Sequence, residues 1–257
     1  MTRIATQDRQ NSILDMLTQQ GEVNVESLSQ RFKTSEVTIR KDLRQLESQS
    51  KLVRKLGGAV RISFESKEND TPKVSPRKLA IAKSAASLIK KGDRIVLDSG
   101  STVLEMLPFL AHRSDLVVMT NSLKVANQLT SSDNPPKVLC TGGTWDAQSD
   151  AFQGNMAEQM LASYDFDIAF IGAAGLDPHR GTTTFNELIN LSKAMAKNSS
   201  RVVIMAEANK LNRKIPNIEL PWSSISMLIT DDSIDSNSFK LITDQGVDVI
   251  RAKAEDN

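Results

Sequence analysis

Short bursts of hydroxyl and glycine residues recur directly after apolar runs in this chain, and their types suit holding an anion rather than transforming one. The first is Asp98-Ser99-Gly100-Ser101-Thr102, where glycine lets the main chain approach a ligand and hydroxyls join backbone amides as donors to a phosphate-like group. Thr120-Asn121-Ser122, Thr141-Gly142-Gly143-Thr144 and Gly172-Ala173-Ala174-Gly175 repeat the plan. Farther along stand Thr182-Thr183-Thr184-Phe185-Asn186-Glu187, then Lys193 on a helical stretch, then Lys210 after the run ending Met205-Ala206-Glu207. Lysine supplies a phosphate with a point charge, and Glu187 suits the hydroxyls of a sugar. Taken singly, each burst is an ordinary helix cap and each charge an ordinary surface charge. Repetition at successive strand ends makes them one candidate site, drawn from Asp98 to Thr102, Thr120 to Ser122, Gly142, Gly143, Thr183, Glu187, Lys193 and Lys210.

A second set of chemically apt residues lies in the first sixty. Ser35, Glu36, Thr38, Ile39, Arg40, Lys41 and Arg44 crowd one short segment, with Arg54, Lys55 and Gly57 shortly after it. Hydroxyls and guanidinium groups on one helix face donate to phosphates or read base edges. Residues 1–61 carry 11 Lys+Arg against 7 Asp+Glu, whereas the remainder carries 21 against 24, so the positive excess is confined to the front of the chain. Such an excess suits a polyanionic partner.

The elements that must position these residues follow from periodicity. Ile13, Leu14 and Leu17 mark a first helix ended by Gly21, and Val25, Leu28 and Phe32 mark a second. After the break Lys33-Thr34, Ser35 caps a third helix from Glu36 to about Ser48, with Val37, Leu43 and Leu46 inward and the basic residues outward. Leu52 to Lys55 and Ala59 to Ile62 read as two strands joined at Leu56-Gly57-Gly58, which makes a wing on a helix-turn-helix. The organisation expected is therefore a winged helix-turn-helix over 1–62, a polar connector over 63–76, and an α/β domain over 77–257.

In that last part a helix spans Arg77 to Lys90. Apolar runs follow at Arg94–Leu97, Leu116–Met119, Lys137–Cys140, Ile168–Ile171, Val202–Met205, Met227–Ile229 and Val247–Ile250, mostly separated by helical patterns. The alternation predicts a mainly parallel, Rossmann-like sheet covered by helices on both sides, with ligands beyond the carboxyl ends of its strands.

The same residues carry a resemblance. Val25-x-x-Leu28-Ser29-x-x-Phe32, Ser35-Glu36-Val37-Thr38-Ile39-Arg40-Lys41-Asp42-Leu43-x-x-Leu46-Glu47 and Arg54-Lys55-x-Gly57-Gly58-Ala59 resemble the DeoR family of bacterial repressors, with Ser50 standing where that family usually has glycine. The resemblance implies double-stranded operator DNA as one partner and a phosphorylated sugar or polyol as the other. It also implies a sensor domain akin to ribose-5-phosphate isomerase. In those isomerases an acidic loop follows the central strand; here Ala173 and Ala174 replace its acids, so binding groups remain while acid-base groups are depleted and no enzyme is expected. Gly100-Ser101-Thr102-Val103-Leu104, Met119-Thr120-Asn121-Ser122-Leu123, Thr183-Thr184-Phe185-Asn186-Glu187, Ser192-Lys193-Ala194-Met195 and Arg213-Lys214-x-Pro216-Asn217 resemble those members that answer to glucitol, which implies glucitol 6-phosphate as effector.

Composition closes off other classes. One cysteine, Cys140, cannot form an internal disulfide framework, and no apolar run approaches the roughly 18 residues of a membrane span. His112 and His179 stand apart from Cys140, so neither metal nor cofactor is expected, and Cys140 on its strand reads as a small buried side chain. Met1 to Gln10 lacks the apolar stretch of a signal peptide, which predicts a cytoplasmic protein. One small DNA-binding unit per chain predicts a homo-oligomer, a dimer or higher, reading paired half-sites.

Overall fold

The computed structural model describes residues 6–254 apart from 21, 49–51, 56–57, 62–74, 148, 185–188 and 214, and only the backbone of 18–20, 22, 48, 53–55, 60–61 and 212. The expectations placed on Gly21, Ser50, Gly57, Glu187 and the connector over 63–74 lie outside the described residues, as do the side chains of Arg54 and Lys55. Two compact units make up the chain, Met1–Thr71 and Pro72–Asn257.

The first unit runs α1 (Thr6–Gln20), β1 (Glu22–Asn24), α2 (Val25–Arg31), α3 (Glu36–Ser48), β2 (Leu52–Lys55) and β3 (Gly58–Arg61). Asn24 begins α2 by accepting the Glu26 N–H at 2.8 Å, and Ser35 begins α3 by accepting the Thr38 N–H at 3.2 Å. Between them Lys33 adopts a left-handed φ of 47°, which tightens the turn. Strands β2 and β3 form the expected antiparallel wing, from Leu52 opposite Arg61 to Lys55 opposite Gly58. A third strand, β1, pairs with the other edge of β3; three residues are too few to show a period of two in the sequence.

The core of this unit gathers Ile13, Leu17, Leu28, Ile39, Leu43 and Leu46. Full burial of each such side chain contributes about 1.5–3 kcal/mol. One buried polar cluster ties α1 to α3. Asp42 accepts from Arg9 Nε at 2.6 Å and Nη2 at 3.2 Å, and from Gln10 Nε2 at 3.3 Å, while Gln10 also reaches Gln45 at 3.1 Å.

In the second unit α4 (Pro76–Ala86) precedes β4 (Arg94–Leu97), α5 (Ser101–Leu104), α6 (Leu107–Leu110), β5 (Val117–Thr120), α7 (Leu123–Thr130) and β6 (Lys137–Cys140). There follow β7 (Thr144–Asp146), β8 (Ala151–Gln153), α8 (Asn155–Ala162), β9 (Phe166–Gly172), β10 (Gly175–Asp177), β11 (Gly181–Thr184) and α9 (Ile189–Lys197). The unit ends with β12 (Ser199–Met205), β13 (Asn217–Pro221), β14 (Met227–Asp231), α10 (Ser236–Thr243) and β15 (Asp248–Ala252). Helix α4 starts at Pro76, with Ser75 as its cap, because serine before proline suits the first helical positions. It stops at Ala86, short of the expected Lys90, where the Ser87 hydroxyl turns back to the Ser84 carbonyl at 2.7 Å.

Seven strands form one parallel sheet in the order β15-β14-β12-β9-β4-β5-β6. From β4 the chain steps outward through β5 to β6, then crosses back to β9 and continues the other way. The reversal between β4 and β9 opens a crevice beyond their carboxyl ends. Alternate residues bury on opposite faces: Val96, Ala169, Ile171 and Ile204 pack with α8, α9 and α10, while Ile95, Leu97, Phe170 and Val203 pack with α4, α6 and α7. Two small antiparallel sheets, β10-β11-β13 and β7-β8, lie beside this frame.

Cys140 is exposed, which corrects the expectation of burial. Its strand, β6, is the sheet edge, where one side of the ladder lacks a neighbour.

Candidate functional site

At the strand reversal, Asp98 leaves β4 and its carboxylate accepts the Gly100 N–H at 2.8 Å and the Gly172 N–H at 2.6 Å. One side chain thereby clamps the loops after β4 and β9, the two strands that flank the crevice. Gly100 suits this closeness: a Cβ there would sit 3.0 Å from Asp98 Oδ1 and 3.4 Å from Gly172 Cα, tight enough that the carboxylate would have to give slightly. Burial pushes the Asp98 carboxyl up to about 6, against the opposing pull of the two amides.

Ser99, Gly100 and Ser101 are partly accessible and Thr102 is buried, so the loop offers some groups and hides others. Lys78 of α4 donates to Ser101 Oγ at 3.1 Å, which puts an ammonium group beside the hydroxyl that sequence pointed to. The cap of the same helix, Ser75, donates to Glu207 Oε1 at 3.0 Å beyond the end of β12. Lys210 is buried in the turn that follows, whose first amide, Ala208 N–H, is held by Asp231 at 2.7 Å. The start of α4 thus links Ser101 to the turn carrying Lys210.

The other expected residues divide. Thr120 and Ser122 are buried and serve the backbone: Thr120 Oγ1 accepts the Ser122 N–H at 3.0 Å, and Ser122 Oγ caps α7. Asn121 fastens β8 through Phe152, donating from Nδ2 to its carbonyl at 3.3 Å while its own carbonyl accepts the Phe152 N–H at 2.8 Å. Gly142 and Gly143 turn the chain at the end of β6 with φ of 61° and 113°. A Cβ on Gly143 would stand 2.6 Å from the Gln153 carbonyl oxygen. Trp145, on β7, meets Phe152 edge to face at 5.4 Å and remains half exposed. Thr183 is buried on β11, and Lys193 is exposed on α9.

Sequence reasoning missed the residues that accompany these. Glu219 on β13 accepts from Ser192 Oγ at 2.6 Å and Thr182 Oγ1 at 3.4 Å, and burial pushes it up to about 7, with the negative charge of nearby Asp98 adding to the rise. Ser192, one position before Lys193, is the α9 residue that turns inward to this carboxylate. The signal available was a lone acid between apolar neighbours in Asn217-Ile218-Glu219-Leu220. Asp177 is engaged locally, accepting the His179 N–H at 2.9 Å and Arg180 Nε at 2.7 Å, which gives it a turn-forming role.

On the first unit, α3 presents Glu36, Arg40, Lys41 and Arg44 outward, with Arg40 paired to Glu36 at 3.0 Å. Ser35 and Thr38 share a hydrogen bond at 2.9 Å beside the cap. Two residues exchange their expected places: Ile39 is 0% exposed within the core, so its side chain cannot touch DNA, and Val37 is 76% exposed. Helical phase explains the exchange. The inward line is Ile39, Asp42, Leu43 and Leu46, and a residue two before Ile39 lies about 200° away from it.

Residues 9–65 match the model of the DeoR-like helix-turn-helix domain, and residues 73–232 match that of the DeoR C terminal sensor domain. A putative aga operon transcriptional repressor of Escherichia coli is 35% identical over 257 residues, covering 95% of this chain and 93% of its own length. The uncharacterized HTH-type transcriptional regulator YulB of Bacillus subtilis is 36% identical over 249 residues, covering 94% and 95%. Among solved structures, ribose 5-phosphate isomerase A of Methanocaldococcus jannaschii aligns over 52% of each chain at 21% identity and a TM-score of 0.39.

Proposed function

The chain belongs to the DeoR family of transcriptional regulators, and from that premise we propose a repressor of a carbohydrate operon whose two parts bind different ligands. Residues 1–62 hold double-stranded operator DNA, residues 77–257 hold a phosphorylated sugar or polyol, and 63–76 connect them. It is a regulator rather than an enzyme, in keeping with relatives that carry regulator names over nearly their whole length.

The observation that carries the effector half is the Asp98 clamp, which brings the Gly100 and Gly172 loops together with Lys78 at Ser101. A phosphate entering there meets the amides and hydroxyls of Ser99 to Thr102 and a cation, and charge-assisted hydrogen bonds are about twice as strong as neutral ones. Lys210 adds a second charge from the β12 side. The hydroxyls of the ligand are assigned to Thr183 and, from the sequence alone, to Glu187. Glucitol 6-phosphate is the effector that the sequence resemblance implies. Where the effector favours a sensor conformation that DNA disfavours, each ligand weakens the other by the same factor, and the operator is released. The working form is a cytoplasmic dimer or higher oligomer that reads paired half-sites.

Duplexes enriched by the full chain from a random pool provide the operator for a test. Fluorescence anisotropy should show their release by phosphorylated hexoses and hexitols, glucitol 6-phosphate at the lowest concentration, and retention in the presence of the unphosphorylated forms. Release by free glucitol at the same concentration would remove the phosphate from the account.

A further inference from the structure

The first turn of α3 contains one side chain whose position the core does not explain. Val37 is 76% exposed, while its neighbours are engaged: Glu36 with Arg40 at 3.0 Å, and Thr38 with Ser35 at 2.9 Å. Single exposed apolar residues are common on protein surfaces and by themselves call for no account. Val37 differs by its place. It is the second residue of the second helix of a helix-turn-helix, and the first turn of that helix is the part that meets base edges in the major groove. Arg40, Lys41 and Arg44 follow it at spacings of three, four and seven, so an apolar tip leads a basic stripe along one helix face.

From this placement we infer that Val37 reads the C5-methyl group of a thymine in each operator half-site, an inference that rests on the operator-binding reading above. Thymine alone among the four bases presents a methyl group in the major groove, and apolar contact with that group is a recognised way of selecting it. A valine suits the task because two substituents on Cβ restrict its χ1, so little freedom is lost on docking. Contacts to phosphates position the helix without distinguishing one sequence from another, so selection of the base opposite Val37 falls to the apolar contact.

The test uses the full-length chain and duplexes that the wild type enriches from a random pool. Each thymine is replaced in turn by deoxyuridine, which removes the methyl group and leaves every hydrogen-bonding group in place, and affinity is measured for wild type and Val37→Ala. The expected result is a loss of about fourfold for the wild type at one thymine per half-site, the effect of one buried methyl, and under about twofold at that position for Val37→Ala. An unchanged thermal midpoint in Val37→Ala accompanies this, since the side chain lies outside the core. Equal penalties in wild type and Val37→Ala at every thymine, or no penalty anywhere, overturn the inference while leaving operator binding intact. Failure of the wild type to enrich any sequence overturns the operator-binding reading and the inference with it.

Discussion

The two units handle polar groups in opposite ways. In the first, an interior polar cluster is hydrogen-bonded within itself, Arg9 and Gln10 to Asp42 and Gln10 to Gln45, and charged residues of α3 face outward. In the second, polar groups are taken inside at the carboxyl ends of strands. Asp98 and Glu219 are buried carboxyls raised to about 6 and about 7, and Asn121 Oδ1, Gln153 Oε1, Thr183 Oγ1 and Thr230 Oγ1 are buried with no hydrogen-bond partner among the described residues. An unsatisfied buried polar atom costs about 1–3 kcal/mol. The second unit thus keeps polar groups inside, whereas the first carries its charges on the outer face of α3.

The sharpest way to break the contrast is to open the interior cluster. Asp42→Ala leaves the Arg9 guanidinium buried without its carboxylate and should destabilise the first unit by about 3–5 kcal/mol. Denaturation followed through both units should show early loss of the first and an unchanged midpoint for the second. Joint destabilisation of the two would mean that they do not melt independently.

A smaller effect is expected at the sensor site. Ser101→Ala should weaken a sugar phosphate by about 1.5–3 kcal/mol while operator affinity stays at the wild-type level, because the hydroxyl beside Lys78 is lost and the fold of the first unit is untouched. Calorimetry with the phosphorylated ligand measures it; an unchanged dissociation constant would move the phosphate elsewhere.

The outer face of α3 should respond in mirror image. Arg44→Ala should cost about 1–3 kcal/mol of operator affinity if it meets a base edge, with effector binding unaltered. Arg40→Ala should cost less, since Arg40 must first leave Glu36. Wild-type affinity in both variants would show that another element reads the DNA.

A further effect is pH-dependent. Asp98 and Glu219 bind protons more tightly in the folded unit than in the unfolded chain, where their ordinary values are 3.8 and 4.5. Their contribution to stability is therefore complete below about pH 4 and is lost as pH rises through about 6 for Asp98 and about 7 for Glu219. The thermal midpoint of the sensor unit should fall over that range, and Glu219→Gln should flatten the upper part of the fall. An identical pH profile in Glu219→Gln would show that this carboxyl is not raised.

The sequence disclosed the frame better than the furnishing of the site. All seven strands of the parallel sheet are visible as apolar runs, most clearly the inner ones, because strands buried on both faces read as continuous hydrophobic segments. Strands β10, β11 and β13 are not, since Gly181-Thr182-Thr183-Thr184 is polar in composition yet wholly buried, its hydroxyls facing Glu219 and Gly175 rather than water. The helix-turn-helix is legible from its cap and turn, and Leu43 and Leu46 face inward as expected, but the inward line of α3 passes through Ile39 rather than Val37. A similar slip of one residue separates exposed Lys193 from inward Ser192. Asp98 was legible as part of a polar burst; its role in holding Gly172 was not, because the two residues are 74 positions apart and meet only through the strand reversal.

If one chain links the two ligands, the linkage is reciprocal. The direct measurement is the affinity of the full-length chain for glucitol 6-phosphate, by calorimetry, without DNA and again with saturating enriched duplex, beside the affinity for the duplex with and without the sugar phosphate. The account predicts that DNA weakens the sugar phosphate by the same factor by which the sugar phosphate weakens DNA. Sugar-phosphate binding that is tight and unchanged by saturating duplex would contradict it.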